Sequence, residues 1–381
     1  MFRFLHTSDW HLGRSLYGQS LIEDQAFALE SLLKLIDERK PHALLIAGDV
    51  FDRALPPEAA VTLFDWFLNQ VARVREVQVF FIPGNHDSRE RVGFAASLLR
   101  DQRVTIFSKL EHAFEPVKLK GDDGVEAWIY GIPFVEPIEV GQFLDVTEVR
   151  TPDHATRLLC RAMIEKKRDA RPAVLLCHAF VAGGEVSESE KEIYIGGSSH
   201  VSPEVFDGFA YTALGHLHKP QSAGRECVRY SGSLLPYSKS EIGHQKSITE
   251  IALAGDGSIK LELHSLQTRR SLRYIEGELK ELIEKGMNDA AKHDYVIAGF
   301  TDSGAVLDAF ARLRSVYPGL LHISRAGGFV PLSLPALQKE REEMSDLELF
   351  GEFFRDATGA DMNDQEREAL IEVLKMAEVT P

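Results

Sequence analysis

The feature that most constrains this chain is an alternation that starts at its first residues. Short apolar runs give way to a polar turn and then to an amphipathic helical stretch. Phe2 to Thr7 reads as a strand, and Leu21 to Arg39 as a helix with Leu29, Leu32, Leu33 and Ile36 on one stripe. Ala43 to Ala47 is wholly apolar, the pattern of a strand buried on both faces. Pro57 opens a helix to about Val74, Val77 to Ile82 is again strand, and Ser88 to Arg100 is again helix. Repeated strand–helix–strand units predict a layered α/β domain. Beyond Ala127 come strands at Trp128 to Ile132, Val174 to Cys177, Tyr211 to Leu214, Ile248 to Ala252 and Ile259 to His264, with a helix near His154 to Lys167. Together they predict one large two-sheet domain over residues 1–270.

Residues 272–330 read as a small separate α+β unit, with strands Tyr295 to Phe300 and Leu320 to Ser324 around a helix at Ala305 to Val316. A Gly- and Pro-containing stretch, with Pro331 and Pro335, predicts a linker over 331–344. The tail, 345–381, has two capping-box spacings, Ser345 to Glu348 and Asn363 to Glu366, each followed by apolar residues at helical intervals. Two short amphipathic helices, near 346–357 and 364–378, are expected there. The whole chain carries a net charge of −15, but 13 acidic and 5 basic residues from Pro335 onward hold −8 of it. Average charge therefore neither supports nor excludes nucleic acid as a partner. No apolar run approaches the ~20 residues of a membrane span. The N-terminus lacks a signal-peptide h-region, and Cys160, Cys177 and Cys227 form no disulfide framework, so a reducing cytoplasm is expected.

The chemistry-bearing residues lie where predicted strands end. Five segments stand out: Asp9-Trp10-His11, Gly48-Asp49, Gly84-Asn85-His86-Asp87, Cys177-His178 and Gly215-His216-Leu217-His218. Ligands of open α/β sheets bind outside the carboxyl ends of the strands, so these tips can converge despite their distance in sequence. Imidazole, carboxylate and amide donors suit Mn²⁺, Fe²⁺ or Zn²⁺ rather than a structural thiolate zinc. Singly, each segment has a plainer reading as a turn, an Asx motif or a packed core histidine; five such segments, each after a predicted strand, offer a set of donors for metal. Arg14, Arg53, Arg89 and Arg91 follow these segments on predicted loops and are candidates for phosphate-backbone contacts, or else solvated surface arginines. No GxxxxGK[ST] loop occurs, so the chain has no P-loop for ATP.

These motifs resemble the calcineurin-like two-metal phosphoesterases. His6 to Gly13, Ala47 to Asp52, Pro83 to Ser88, Ala213 to His218 and Arg229 to Ser233 resemble more closely the SbcD family of bacterial exonuclease subunits. The resemblance implies a two-sheet, four-layer metallophosphoesterase sandwich with a small α+β DNA-capping domain and a helical partner-binding tail. It implies that Asp9, His11 and His218 hold one divalent metal, that Asn85, His178 and His216 hold a second, and that Asp49 bridges. His86 would act at the scissile phosphate. Two divalent ions, Mn²⁺ by preference, DNA as substrate, an SbcC-type coiled-coil ATPase as partner and a homodimer are also implied. The dimer contact would involve the helix from Pro57, with Phe64 and Phe67 as expected interface residues, although core packing against the sheet explains most of that stripe. At position 52, where archaeal relatives carry histidine, this chain has Asp52. A small-molecule phosphodiesterase on the same site and a non-catalytic scaffold are the rival readings.

Overall fold

The computed structural model describes residues 2–167, 169–190, 200–302, 308–325 and 362–377, with the isolated positions 347, 350, 351 and 354. The chain divides into two compact units, Met1–Ser271 and Leu272–Pro381.

The first unit is built on two six-stranded sheets. One runs in the order Ile259–Ser265, Ser247–Leu253, Phe2–Thr7, Ala43–Ala47, Gln78–Ile82, Val104–Ile106. Its last four strands are parallel, with Phe4 beside Ala43 and Ala47 beside Ile82, and the other two are added antiparallel. The second sheet runs Gln221–Ala223, Arg225–Tyr230, Tyr211–Gly215, Ala173–His178, Glu126–Ile132, Val117–Lys120, again parallel at its centre. Every residue of Ala43–Ala47 and Ala173–His178 is buried, as parallel strands covered on both faces require.

Strand alternation distributes those apolar residues into layers. Phe2, Phe4, Leu45 and Phe80 of the first sheet meet Ile129, Val174, Leu176 and Tyr211 of the second in one dry core. On the far face of the second sheet, Leu175 and Leu214 pack on Leu159 and Met163 of the helix Pro152–Lys166. That helix starts with Pro152 behind Thr151, whose hydroxyl accepts from the His154 amide at 3.3 Å. On the far face of the first sheet, the Phe81 ring meets Phe64 of the helix Glu58–Leu68 at 5.6 Å, and the helix Ile22–Arg39 buries Leu29, Leu32 and Leu33. The result is helix, sheet, sheet, helix, with each large buried side chain contributing about 1.5–3 kcal/mol.

Two expectations need correction. Phe64 and Phe67 are intramolecular core: Phe67 is fully buried and its ring lies edge-on to Trp10 at 5.0 Å. They face inward because the helix stripe fills the outer face of the first sheet, leaving neither ring for a partner. The helix expected over Ser88 to Arg100 is broken into Arg89–Val92 and Ala96–Arg100, because Ala95 takes a left-handed conformation with φ 57°. The helix from Pro57 does reach Val74, but its last turns, Asn69–Val74, widen to π geometry.

The second unit has a three-stranded parallel sheet, Leu272–Gly277, Tyr295–Phe300 and Leu320–Arg325. Helices Leu279–Met287 and Ala309–Arg314 complete a core of Leu282, Val296, Ala298, Leu313 and Tyr317. Its first strand and first helix were not anticipated, because an edge strand carrying Arg273 and Glu276 lacks an apolar signature. In the tail, the helix Asp364–Ala377 is present. Asn363 caps it: its side-chain oxygen accepts from the Gln365 and Glu366 amides, and Glu366 accepts from the Asn363 amide in return. The expected linker at 331–344 lies outside the described residues, as does the first tail helix apart from isolated positions.

Replacing Phe67 with Ala is expected to cost about 3–5 kcal/mol, as for other fully buried aromatics. Thermal unfolding and sedimentation check it: Tm should fall while the association state stays as in the wild type. A changed association state with an unchanged Tm would mean that the ring serves a partner.

Candidate metal centre

The site is assembled where the two sheets touch at the carboxyl ends of their central strands. Beyond the strands the backbone ladder continues: the Asp9 amide donates to the Gly48 carbonyl (3.0 Å), that of His11 to Asp49 (3.0 Å) and that of Leu12 to Val50 (2.9 Å). The His178 ring donates from Nδ1 to the Ala47 carbonyl at 2.9 Å, tying the second sheet to the first. At Gly215 any Cβ would sit 1.8 Å from the Ala47 oxygen, so only glycine permits this approach. The turns are strained. Asp9 (φ 52°), His11 (45°), Asp49 (49°) and His216 (109°) all hold positive φ, a conformation that costs on the order of 1–3 kcal/mol per residue and clusters at functional sites. His216 and His218 therefore stand on a turn after the strand Tyr211–Gly215 and not on the strand itself.

All eight motif side chains converge. Asp9, His11 and His218 place one donor atom each within 4.8 Å of one another, as do Asp9, Asp49 and His178. His11 Nε2 lies 3.1 Å from His218 Nε2 and 3.8 Å from Asp49 Oδ2. On the other side, Asn85 Oδ1 lies 2.9 Å from His178 Nε2 and 3.3 Å from His216 Nδ1, and His178 Nε2 is 3.4 Å from Asp49 Oδ2. Asp49 thus stands between the two groups. His86 donates its amide to Asp49 Oδ1 at 2.8 Å and its ring Nδ1–H to the Asp52 carbonyl at 2.8 Å. That bond leaves Nε2 as the nitrogen able to hold or release a proton.

Burial dominates the electrostatics. It pushes Asp9 up to about 8, with His178 pulling it back and Asp49 adding to the rise. Burial also opposes the charge on Asp49, but His178 beside it holds the carboxyl well below the usual range. His178 is correspondingly raised to about 9, burial being outweighed by Asp49. Burial keeps His11 and His218 low and His216 down to about 3, so these rings are neutral at pH 7. Neutral imidazoles facing one another across 3.1 Å, the buried His11 Nδ1 without a hydrogen bond, and a carboxylate between two histidine groups fit a dinuclear divalent metal centre.

The arginine candidates separate. Arg14 enters the site: it contacts Asp52 at 3.3 Å and the Ser189 carbonyl at 3.4 Å, and its guanidinium lies 5.1 Å over the Tyr237 ring. Arg89 is paired with Glu139 at 2.7 Å, and Arg53 and Arg91 are exposed. Asp52 supports His86 through its backbone and Arg14 through its carboxylate, and its Oδ1 stands 3.7 Å from His11 Nδ1. Several supporting residues were missed by sequence reasoning. Gln25 is fully buried, donating to the Trp10 and His11 carbonyls and accepting from the Gly13 amide. Asp87 accepts from the Val50, Phe51 and Gly84 amides, stapling two of the loops. Glu241 and Lys246 lie buried behind His218. Asp87 was visible within its motif; a lone Gln, Glu or Lys in the chain gives no such signal.

The two-sheet sandwich with clustered His and Asp at its strand ends defines a class. The calcineurin-like phosphoesterase family model matches residues 2–220, and the chain belongs to that family. A model described as the type 5 capsule protein repressor C-terminal domain matches residues 268–358. The chain is 28% identical over 322 residues to SbcD, the nuclease component of SbcCD, from Staphylococcus epidermidis, covering 84% of this chain and 85% of that protein. Among solved structures, TT1561 of Thermus thermophilus is 16% identical (TM-score 0.40; 70% of this chain, 99% of that one). The calcineurin-like phosphoesterase YfkN of Bacillus subtilis is 15% identical (TM-score 0.40; 70% of this chain, 92% of that one).

With Asp9 raised to about 8 and His178 to about 9, the metal-free site carries protons at pH 7 that an ion must displace. Divalent-ion affinity is therefore expected to rise with pH through that window, with proton release on binding. Calorimetric titration in buffers of differing ionisation enthalpy measures both; an affinity flat with pH would contradict the assignment.

Proposed function

We propose that this chain is the metal-dependent nuclease component of an SbcCD-type complex, cleaving DNA phosphodiester bonds as exonuclease and endonuclease at ends and hairpins. The single observation that carries the reading is the convergence of all eight motif side chains between the two sheets, with His86 tethered beside Asp49. The similarity to the SbcD nuclease of Staphylococcus epidermidis along most of both chains supports DNA as the substrate.

In this reading Asp9, His11 and His218 hold one divalent ion, Asn85, His178 and His216 hold the other, and Asp49 is shared. Mn²⁺ suits the mixed nitrogen and oxygen donors. Two such ions supply charge neutralisation at the phosphoryl oxygens and lower the pKa of an attacking water. His86, its Nδ1–H occupied by the Asp52 carbonyl, presents Nε2 to the leaving oxygen and gives it a proton. Arg14, stacked on Tyr237 and held by Asp52, stands where a flanking phosphate would need a counter-charge. Arg53, exposed on a loop, and Arg91, exposed on the short helix Arg89–Val92, are further phosphate contacts, and Arg89 would join them on exchanging Glu139 for phosphate.

Partner surfaces follow from unburied apolar groups. Phe94 and Leu98, 81% and 72% exposed after the Asn85 motif, support a homodimer contact in place of Phe64 and Phe67. Unit 272–330 is read as the DNA-capping domain. The helix Asp364–Ala377 leaves Val373 61% exposed, which suits docking of the acidic tail on the SbcC-type coiled-coil ATPase. A cytoplasmic location accords with that assembly.

The test compares purified protein on plasmid-length DNA and on a nitrophenyl phosphodiester, with and without Mn²⁺. Mn²⁺-dependent DNA cleavage is expected. His86→Gln should lower it by at least ~100-fold, the low end for a general acid, without loss of bound metal. Cleavage of the small ester alone would favour a small-molecule phosphodiesterase, and no cleavage of either a scaffold.

A further inference from the structure

We infer that Glu241, clamped by Lys246, is a positioning residue for His218: it selects the ring tautomer that turns a bare Nε2 toward the metal centre. The inference rests on the metal reading above, but concerns only how one donor is aimed.

Glu241 is fully buried, and its Oε1 lies 3.2 Å from His218 Nδ1, whereas the other ring nitrogen, Nε2, faces His11 Nε2 at 3.1 Å. Ser189 Oγ lies 2.8 Å from the same Nδ1 and donates to Glu241 Oε1 at 2.5 Å. A hydroxyl already donating to the carboxylate can only accept from the ring. Both neighbours of Nδ1 therefore require N–H there, and a neutral imidazole with its one proton on Nδ1 keeps its lone pair on Nε2.

The carboxylate is itself immobilised. Its Oε1 also accepts from the Tyr237 amide (3.1 Å) and the Ser238 hydroxyl (3.2 Å), and Oε2 accepts from Lys246 Nζ (2.5 Å). Lys246 Nζ in turn donates to the His218 carbonyl at 2.8 Å and to Ser233 Oγ at 2.9 Å. One buried ammonium thus fixes both the backbone of His218 and the group that orients its ring. Glu190 holds the remaining backbone handle, accepting from the His218 amide at 2.6 Å.

A buried ion pair is a poor stabiliser, since apolar replacements of the same volume are often neutral or better. Its placement here has a use that stability does not supply. His178 and His86 lean on backbone carbonyls, whereas His218 leans on a carboxylate, which raises the basicity of a ligating imidazole as well as fixing its orientation.

Two measurements on the full chain test this. In metal-free wild-type protein labelled with ¹⁵N-histidine, the His218 signal, assigned by its loss in His218→Gln, should show the Nδ1–H tautomer; an Nε2–H tautomer would overturn the inference. In Glu241→Gln/Lys246→Met, which removes both charges together, calorimetry with Mn²⁺ should show one of two sites weakened about 10–100-fold and the other unchanged. A folded double variant with both affinities intact would also overturn it. If that variant does not fold, the tautomer decides alone. Failure of the wild type to cleave DNA would count against the proposed function and leave the tautomer result standing.

Discussion

The hydrogen bond from His178 Nδ1–H to the Ala47 carbonyl is the contact on which the site depends, because it joins the tip of one sheet to the tip of the other. It occupies the Nδ1–H of the His178 ring, and so aims Nε2 at Asn85 and Asp49. It requires the two sheets to meet with no side chain at Gly215, and it places the Asp49 turn directly against the second sheet. The dry core of Phe4, Leu45, Leu176 and Tyr211 beneath supplies the rigidity that holds it.

The free energy of that arrangement is spent locally. Four of the converging residues sit in left-handed backbone, and two carboxylates share one buried space with a histidine. A metal-free site of this kind is a strained, partly protonated cluster whose proton on His178 stands in for positive charge the donors are arranged to receive. Divalent ions would relieve the repulsion between Asp9 and Asp49, so binding and folding energies are coupled.

Much of this was legible in the sequence. The sequence pattern placed Phe2–Thr7 and Ala43–Ala47 to the residue, and Ala43–Ala47, buried on both faces, leaves a continuous apolar signature. The site residues were legible because turn glycines and metal-capable side chains coincide at strand ends. What the sequence left open was the direction a stripe faces: Phe64 and Phe67 read mainly as core and also as interface, and only the sheet beneath decides. The break at Ala95 and the first strand of the second unit have no compositional mark. Glu241, Lys246 and Gln25 were invisible because their roles come from burial and from partners up to 212 residues away.

The central claim is that one preformed cluster, drawn from both sheets, holds two ions with Asp49 between them. Anomalous scattering from crystals grown with Mn²⁺ tests it most directly. The account predicts two peaks roughly 3.5–4 Å apart, one among Asp9, His11 and His218 and the other among Asn85, His178 and His216, with Asp49 touching both. A single peak, or two peaks that Asp49 does not bridge, would contradict it.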